Sequence, residues 1–222
     1  MSGFLGGGIG PVAFGGGGAA DTPWYLAGGA PMPVAAYQPI GAASLSASYV
    51  NLANPGVYDA APGVAPTLGA GGWGFDGSTQ YLRVQIGAIT TAISVVLRYA
   101  GAISGFSAAV GSSANGAARI AIIPRYAGDA GKRAYRHGGT AVSGVGADAA
   151  GIMALCGNIG YFNGFPEAGP FTVSVGTGYI GIGAYYDPVG YWTGTIASVA
   201  IYDTSANHAI WMPAVSAAMA AL

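Results

Sequence analysis

Eight carboxylates carry all the side-chain acid chemistry of this 222-residue chain, and only Glu167 is a glutamate. Glycosidic hydrolysis normally takes two carboxylates at a set separation, one a proton donor and the other a nucleophile or base. The seven aspartates are Asp21, Asp59, Asp76, Asp129, Asp148, Asp187 and Asp203. All but Asp203 sit among turn-forming residues, and no two acids lie within four positions of each other. Cys156 is the sole cysteine. It can form no internal disulfide, it has no neighbouring histidine in sequence, and its strand context predicts a buried, inert thiol. His137 and His208 are too few for a zinc site. The residue types therefore predict no catalytic group, no metal and no cofactor.

Two stretches could bind rather than react. Tyr185, Tyr186, Asp187, Tyr191 and Trp192 form the densest aromatic run. Aromatic faces with a few polar groups recognise sugars, so Tyr185, Tyr186, Asp187 and Tyr191 are the carbohydrate-binding candidates. In extended chain Tyr185 and Tyr186 point to opposite faces, so only one of the pair serves a given surface. The second stretch holds Arg119, Arg125, Lys132, Arg133 and Arg136, five of the seven basic residues, with His137 adjacent. It reads either as a solvated hairpin tip or as an anionic contact or assembly surface made by Arg125, Lys132, Arg133 and Arg136.

Composition narrows the setting. Charged residues are 7% of the chain and the net charge is −1, against about 25% charged residues in an ordinary soluble domain. No electrostatic field draws nucleic acid or an anionic membrane. Hydrophobic residues are 52% and aromatics 11%, enough for a core and the opposite of a disordered composition. No run of about 18–20 apolar residues suits a spanning helix, so no membrane insertion is expected. A surface so poor in charge fits one covered by identical or neighbouring subunits, or a rugged extracellular β-module.

The elements that must position these residues read as strands. Segments such as AISVVLRYA, ARIAIIPRYAG, IMALCGNIGYFNGFPEA, FTVSVG, YIGIGAYYD and TIASVAIYD are β-branched or aromatic and bounded by Gly, Pro, Asn or Asp. AAYQPIGAASLSASYVNLA reads the same way. Asn163-Gly164 predicts a two-residue type I′ hairpin, and Pro166 an edge or bulged position after it. Asp76-Gly77 marks a second turn. Residues 207–222 read as a helix, with Val215, Met219 and Leu222 at helical spacing and Pro213 in its first turn. Residues 1–22 are Gly-rich, with Phe4, Leu5, Ile9, Val12 and Phe14 as spaced apolar pegs. They form either a flexible linker or an arm that docks on a neighbouring subunit. The organisation expected is an arm (1–22), a β-domain (23–206) and a packed C-terminal helix (207–222).

Five of these pieces, in order, resemble laminin-G-like domains of the concanavalin A-like lectin/glucanase superfamily. FDGSTQYLRV is similar to their opening strand and AISVVLRYAG to the next core strand. GYFNGFPEA resembles their hairpin, YIGIGA the strand after it, and YWTGTIASVAIYDTSAN their closing signature. Residues 34–82 resemble the opening of laminin-G-like proteins of tailed bacteriophages and prophages. The resemblance implies an all-β jelly roll of two antiparallel sheets. It places Trp192 in the core rather than on a ligand platform, and Asp187 in a rim loop where calcium-binding members gather carboxylates. Calcium needs six to eight oxygens, and Asp187 alone reads first as a turn residue before Pro188. In hydrolase members the acids cluster on one strand, which this chain does not repeat.

The function expected is that of a non-enzymatic phage virion structural or decoration protein. Its partners would be itself, as a homo-oligomer, other virion proteins and surface polysaccharide, assembled in the host cytoplasm. A bacterial extracellular carbohydrate-binding or adhesion module is the alternative.

Overall fold

The apolar runs fold as strands because both of their faces find cover. In the computed structural model, residues 22–101, 107–112, 119–186 and 189–222 are described. Their strands are β1 (Ala35–Tyr37), β2 (Ala61–Val64), β3 (Thr67–Gly69), β4 (Gly72–Asp76), β5 (Tyr81–Ile89) and β6 (Ser94–Ala100). There follow β7 (Val110–Ser112), β8 (Ile120–Tyr126), β9 (Lys132–His137), β10 (Val142–Ser143), β11 (Gly151–Cys156) and β12 (Ile159–Phe162). The last are β13 (Phe165–Ala168), β14 (Gly176–Ile182), β15 (Ala184–Tyr186), β16 (Val189–Tyr191) and β17 (Thr193–Tyr202). Two helices, α1 (Leu45–Ser48) and α2 (His208–Ala220), and two short 3-10 segments complete the set.

An eight-stranded sheet runs β13-β12-β11-β6-β17-β4-β3, with β1 also paired to the long β17. A seven-stranded sheet runs β10-β9-β8-β7-β14-β5-β2. All pairings are antiparallel. The protein is an all-β sandwich of jelly-roll type. Its inner faces meet in one core that includes Trp73, Leu82, Val84, Leu97, Leu155, Ile180, Trp192 and Ile201. Trp192 lies 6.2 Å from Phe75 and 6.4 Å from Tyr99, ring centroid to centroid, so it is a core residue as the resemblance implies.

The outer face of the eight-stranded sheet is also apolar. Val96, Ala154, Cys156, Ala200 and Tyr202 turn that way, and α2 covers them with Trp211, Met212, Val215 and Met219. The 3-10 segment Trp24–Gly29 packs beside α2. Gly28 is required there, since a Cβ would stand 2.5 Å from that of Ala214. Arg98 donates to the Met219 carbonyl at 2.9 Å, which satisfies a helix C-terminus that lacks its own donors. Among the described residues no helix is long and apolar enough to cross a membrane.

The Asn163-Gly164 turn forms as expected, with φ of 47° and 85°. Pro166 lies on β13, an edge strand whose pairing with β12 shifts register by a bulge. Three expectations fail. Pro213 is the sixth residue of α2, in its second turn rather than its first. Residues 171–175 form no strand. Of AAYQPIGAASLSASYVNLA only β1 is extended, and Leu45–Ser48 is helical. That helix forms because Ser44 caps it, its Oγ accepting from the Ala47 N–H at 3.1 Å.

Candidate functional site

Strand β9 alternates, as any strand must. Arg133, Tyr135 and His137 turn toward the other sheet and are buried, while Ala134 and Arg136 turn outward. Each of the inward residues crosses the sandwich. Arg133 forks onto Glu167 of β13, Nε to Oε1 at 2.8 Å and Nη2 to Oε2 at 2.7 Å, and its Nη1 bonds Asp148. Tyr135 donates to Glu167 at 2.5 Å and lies 2.8 Å from the Tyr161 carbonyl of β12. The His137 Nδ1 lies 2.6 Å from the Gly157 carbonyl, which can only accept, so Nδ1 carries the proton. The three side chains form a polar seam that closes one edge of the sandwich.

The seam explains the only glutamate. Burial pushes the Glu167 carboxyl up, but the hydrogen bonds and charge of Arg133, with the Tyr135 hydroxyl, hold it below the usual range. Burial first, and then the Glu167 charge, push the Tyr135 phenol well above its ordinary value. The arginine stays charged, the glutamate ionised and the phenol protonated. Arg133 is therefore not at a solvated hairpin tip but inside, its guanidinium 3.5 Å from the centre of the Phe162 ring. Lys132 does remain at the surface, paired with Asp129 at 3.3 Å. Arg125 is half-buried. Cys156 is free and buried, and burial pushes its thiol up to about 12.

Across the outer face of the seven-stranded sheet runs a row of paired residues: Ala61, Arg83, Gly181, Gly111, Ala121 and Arg136. Two arginines thus bound a trough of side chains no larger than alanine. The β15–β16 hairpin lies in it. A Cβ on Gly111 would stand 1.9 Å from the Tyr185 carbonyl oxygen, so only glycine admits the hairpin at that depth. Tyr185 packs with Ala121, Ile123 and Ala134, and its hydroxyl takes a hydrogen bond from Arg136 Nη1. It is 3% exposed, which removes it from any ligand surface. Arg136 is tied to Tyr185 and, at 2.8 Å, to the Gly138 carbonyl. Asp187 and the side chain of Tyr186 lie outside the described residues, as do the arm pegs Phe4, Leu5, Ile9 and Phe14.

Tyr191 is the aromatic candidate that the fold places beside partners. Its ring lies 6.0 Å from that of Tyr81. The Arg83 guanidinium sits 5.1 Å from the ring centres of both Tyr81 and Tyr179 and donates to the Tyr81 hydroxyl at 2.6 Å. Tyr179, Tyr191 and Arg83 are half-buried, and Gln85 is exposed next to them. A guanidinium flanked by two rings has its orientation fixed. The result is a surface of two half-buried phenol rings, Tyr179 and Tyr191, one fixed cation and one amide, with Tyr81, 7% exposed, as the buried ring that Arg83 and Tyr191 pack against. Sequence reading missed Tyr81, Arg83 and Tyr179, because pairing β14 with β5 brings together residues about a hundred positions apart. The available signal was the polar half of Y-L-R-V-Q, alternate to its apolar half.

No family model matches the chain, and no curated protein matches it. Solved structures do. Domain 4 of AbnA, a GH43 extracellular arabinanase from Geobacillus stearothermophilus in complex with arabinotriose, superposes with a TM-score of 0.56 at 14% identity. That match covers 83% of this chain and 98% of that domain. A mutant Trypanosoma rangeli sialidase displaying trans-sialidase activity gives a TM-score of 0.60 at 13% identity, over 83% of this chain and 32% of that one. The sialidase complexed with sialic acid gives 0.56 at 14%, over 93% and 35%. The likeness is one of fold. The chain spans about a third of the length of these sialidases. Among the described residues no three His, Cys, Asp or Glu side chains gather as a metal site.

Proposed function

We propose that the chain is a non-enzymatic, lectin-type recognition module of the laminin-G-like, concanavalin A-like kind. It holds saccharide against Arg83, Tyr179 and Tyr191, with the buried Tyr81 positioning the guanidinium and the Tyr191 ring. The observation that carries this reading is the guanidinium fixed between two tyrosines with a third beside them. Phenol faces suit the C–H faces of sugar rings, and guanidinium, amide and hydroxyl groups suit their hydroxyls. The likeness to an arabinanase domain of nearly the same extent, solved with an arabino-oligosaccharide, supports it. Glu167, the one glutamate, is taken up by Arg133 and Tyr135 in the seam rather than presented beside this surface.

The test is binding to a polysaccharide array, with arabinotriose as a soluble probe, by the wild-type chain, Tyr191→Ala and Tyr179→Ala. Saturable binding that each substitution weakens at least about tenfold, or 1.4 kcal/mol, is expected. Absence of binding by the wild type, or variants that bind as well as it does, would overturn the reading.

The setting we propose is a virion surface, with the chain as a structural or decoration protein. The low charge and the resemblance of residues 34–82 to phage proteins support it. Antibody labelling of intact particles in electron microscopy is the expected outcome. Label confined to secreted, particle-free protein would favour the bacterial adhesion module.

A further inference from the structure

Where β5 and β17 end, a pocket of about 180 Å³ opens between residues of the two sheets. Its lining is mainly apolar: Ile93 is 2% exposed and Val34, Ile86 and the methyl-bearing Thr90 are half-buried. Its rim carries Tyr58, Ala88 and Asp203, all exposed. Tyr58 is 40% exposed and adopts φ of 59°, a left-handed conformation uncommon for a bulky residue. Its loop is firmly held. The fully buried Asn51 side chain donates to Val34 and Val57 and accepts from Ala36 and Ala53, all within 3.0 Å. The Tyr37 hydroxyl bonds the Tyr58 carbonyl. Leu52 and Val57, each 43% exposed, lie on the same loop. A rigid loop that presents apolar side chains to solvent around an apolar pocket marks a contact surface.

We propose that this pocket receives a phenyl ring, Phe4 or Phe14, from the N-terminal arm of a second copy of the chain. Size and chemistry choose the occupant. An apolar cavity of about 150 Å³ holds a benzene molecule, so this pocket is matched to one phenyl ring. A sugar ring would need several polar partners at depth; here Tyr58 and Asp203 are at the rim, and the Thr90 hydroxyl already accepts from the Ala92 N–H at 3.3 Å. The arm offers phenyl rings next to glycines, Gly3-Phe4 and Phe14-Gly15, so backbone N–H groups come unobstructed to the Asp203 carboxylate. Residues 1–20 carry no acidic or basic side chain to repel or be desolvated. Burying the rim between copies also accounts for a surface on a chain with only 7% charged residues.

The test is solution mass by light scattering on the full chain and two variants. Phe4→Ala/Phe14→Ala removes the rings and leaves every described residue as it is. Ala88→Phe plugs the rim from within. The wild type is expected to associate above its monomer mass of 21.7 kDa, and each variant to fall to monomer with unchanged thermal stability. Mixed in equal amounts, the two variants should form a one-to-one complex, because one retains the ring and the other the pocket. That complementation separates docking from misfolding. A monomeric wild type would overturn the proposal, since an arm docked on its own chain gives the same mass. Variants that keep the wild-type mass, or a mixture that stays monomeric, would overturn it as well.

Discussion

Arg133 and Glu167 face each other through two parallel hydrogen bonds, yet they belong to different sheets and lie 34 positions apart in sequence. Both side chains are nearly closed to solvent, at 5% and 8% exposure. The pair pins the edge hairpin β12–β13 of one sheet to β9 of the other, and Tyr135 and His137 extend the same seam. Desolvating two ions is costly, and only close geometry with every lone pair used recovers it. The bidentate fork and the Tyr135 and Val145 donors meet that requirement at Glu167.

Breaking the pair one-sidedly should therefore cost far more than replacing it. Arg133→Met leaves a buried carboxylate facing no cation, and about 3–5 kcal/mol of stability is expected to go. For a chain of this size that lowers the melting temperature by about 6–20 °C. Arg133→Met/Glu167→Leu should recover most of the loss. Thermal unfolding followed by circular dichroism checks both. A single variant as stable as the wild type would mean that the pair is incidental.

Acid should loosen the fold in two steps. Burial lowers the His208 pKa below its ordinary 6.5, and Tyr161 holds its Nδ1 at 2.7 Å. The unfolded chain thus binds that proton more readily, so the His208 contribution is present above pH 6.5 and declines as pH falls below it. Glu167 acts lower down: its folded pKa lies below the ordinary 4.5, so its contribution is complete above that value and fades as pH drops through the folded one. Urea midpoints measured between pH 7 and 3 should show both declines. His208→Gln should remove the upper one alone.

Local turn chemistry was legible in the sequence, and contacts across the sandwich were not. Asn163-Gly164 and Pro166 on an edge are set by short-range φ preferences, while Trp192 in the core was implied by the family resemblance. Arg133 reads as solvated in any one-dimensional view, because five basic residues cluster from 119 to 136. Its partners Asp148 and Glu167 arrive by pairings that sequence distance hides. What was present was alternation: R-A-Y-R-H places 133, 135 and 137 on one face. Tyr185 failed as a ligand residue because Gly111 and Gly181, both on other strands, make the trough that buries it. Pro213 falls in the second turn because the helix is already under way at His208, five residues before it, after Asn207 in a left-handed conformation.

The C-terminal helix should behave as part of the core rather than as an appendage. Trp211 is 2% exposed, its ring 4.9 Å from Tyr202, and its Nε1 donates to Ala206 at 3.0 Å. Trp211→Ala leaves an internal void above β17 and is expected to cost about 3–5 kcal/mol. Ile210, 73% exposed one residue earlier, is the control: Ile210→Ala should shift stability by less than about 0.5 kcal/mol. Equal losses from the two variants would contradict the packing described.

The hairpin in its glycine trough gives the sharpest steric prediction. At Gly111 an added methyl would meet the Tyr185 carbonyl oxygen at 1.9 Å, a backbone atom that cannot swing aside. At Gly181, its neighbour in the same row, the nearest atom is the Ala184 carbonyl oxygen at 3.4 Å, an ordinary contact. Gly111→Ala should therefore lift β15–β16 off the sheet, at the about 1–3 kcal/mol typical of overpacking, while Gly181→Ala should be nearly silent. Lifting the hairpin also carries Tyr191 away from Tyr81. Hydrogen exchange in residues 184–191 should thus quicken in Gly111→Ala, and any saccharide binding should weaken, with both unchanged in Gly181→Ala. If Gly111→Ala kept wild-type exchange, the hairpin would not be seated on that glycine. If exchange quickened but binding held, Tyr191 would not belong to the binding surface, and the platform would reduce to Arg83 and Tyr179.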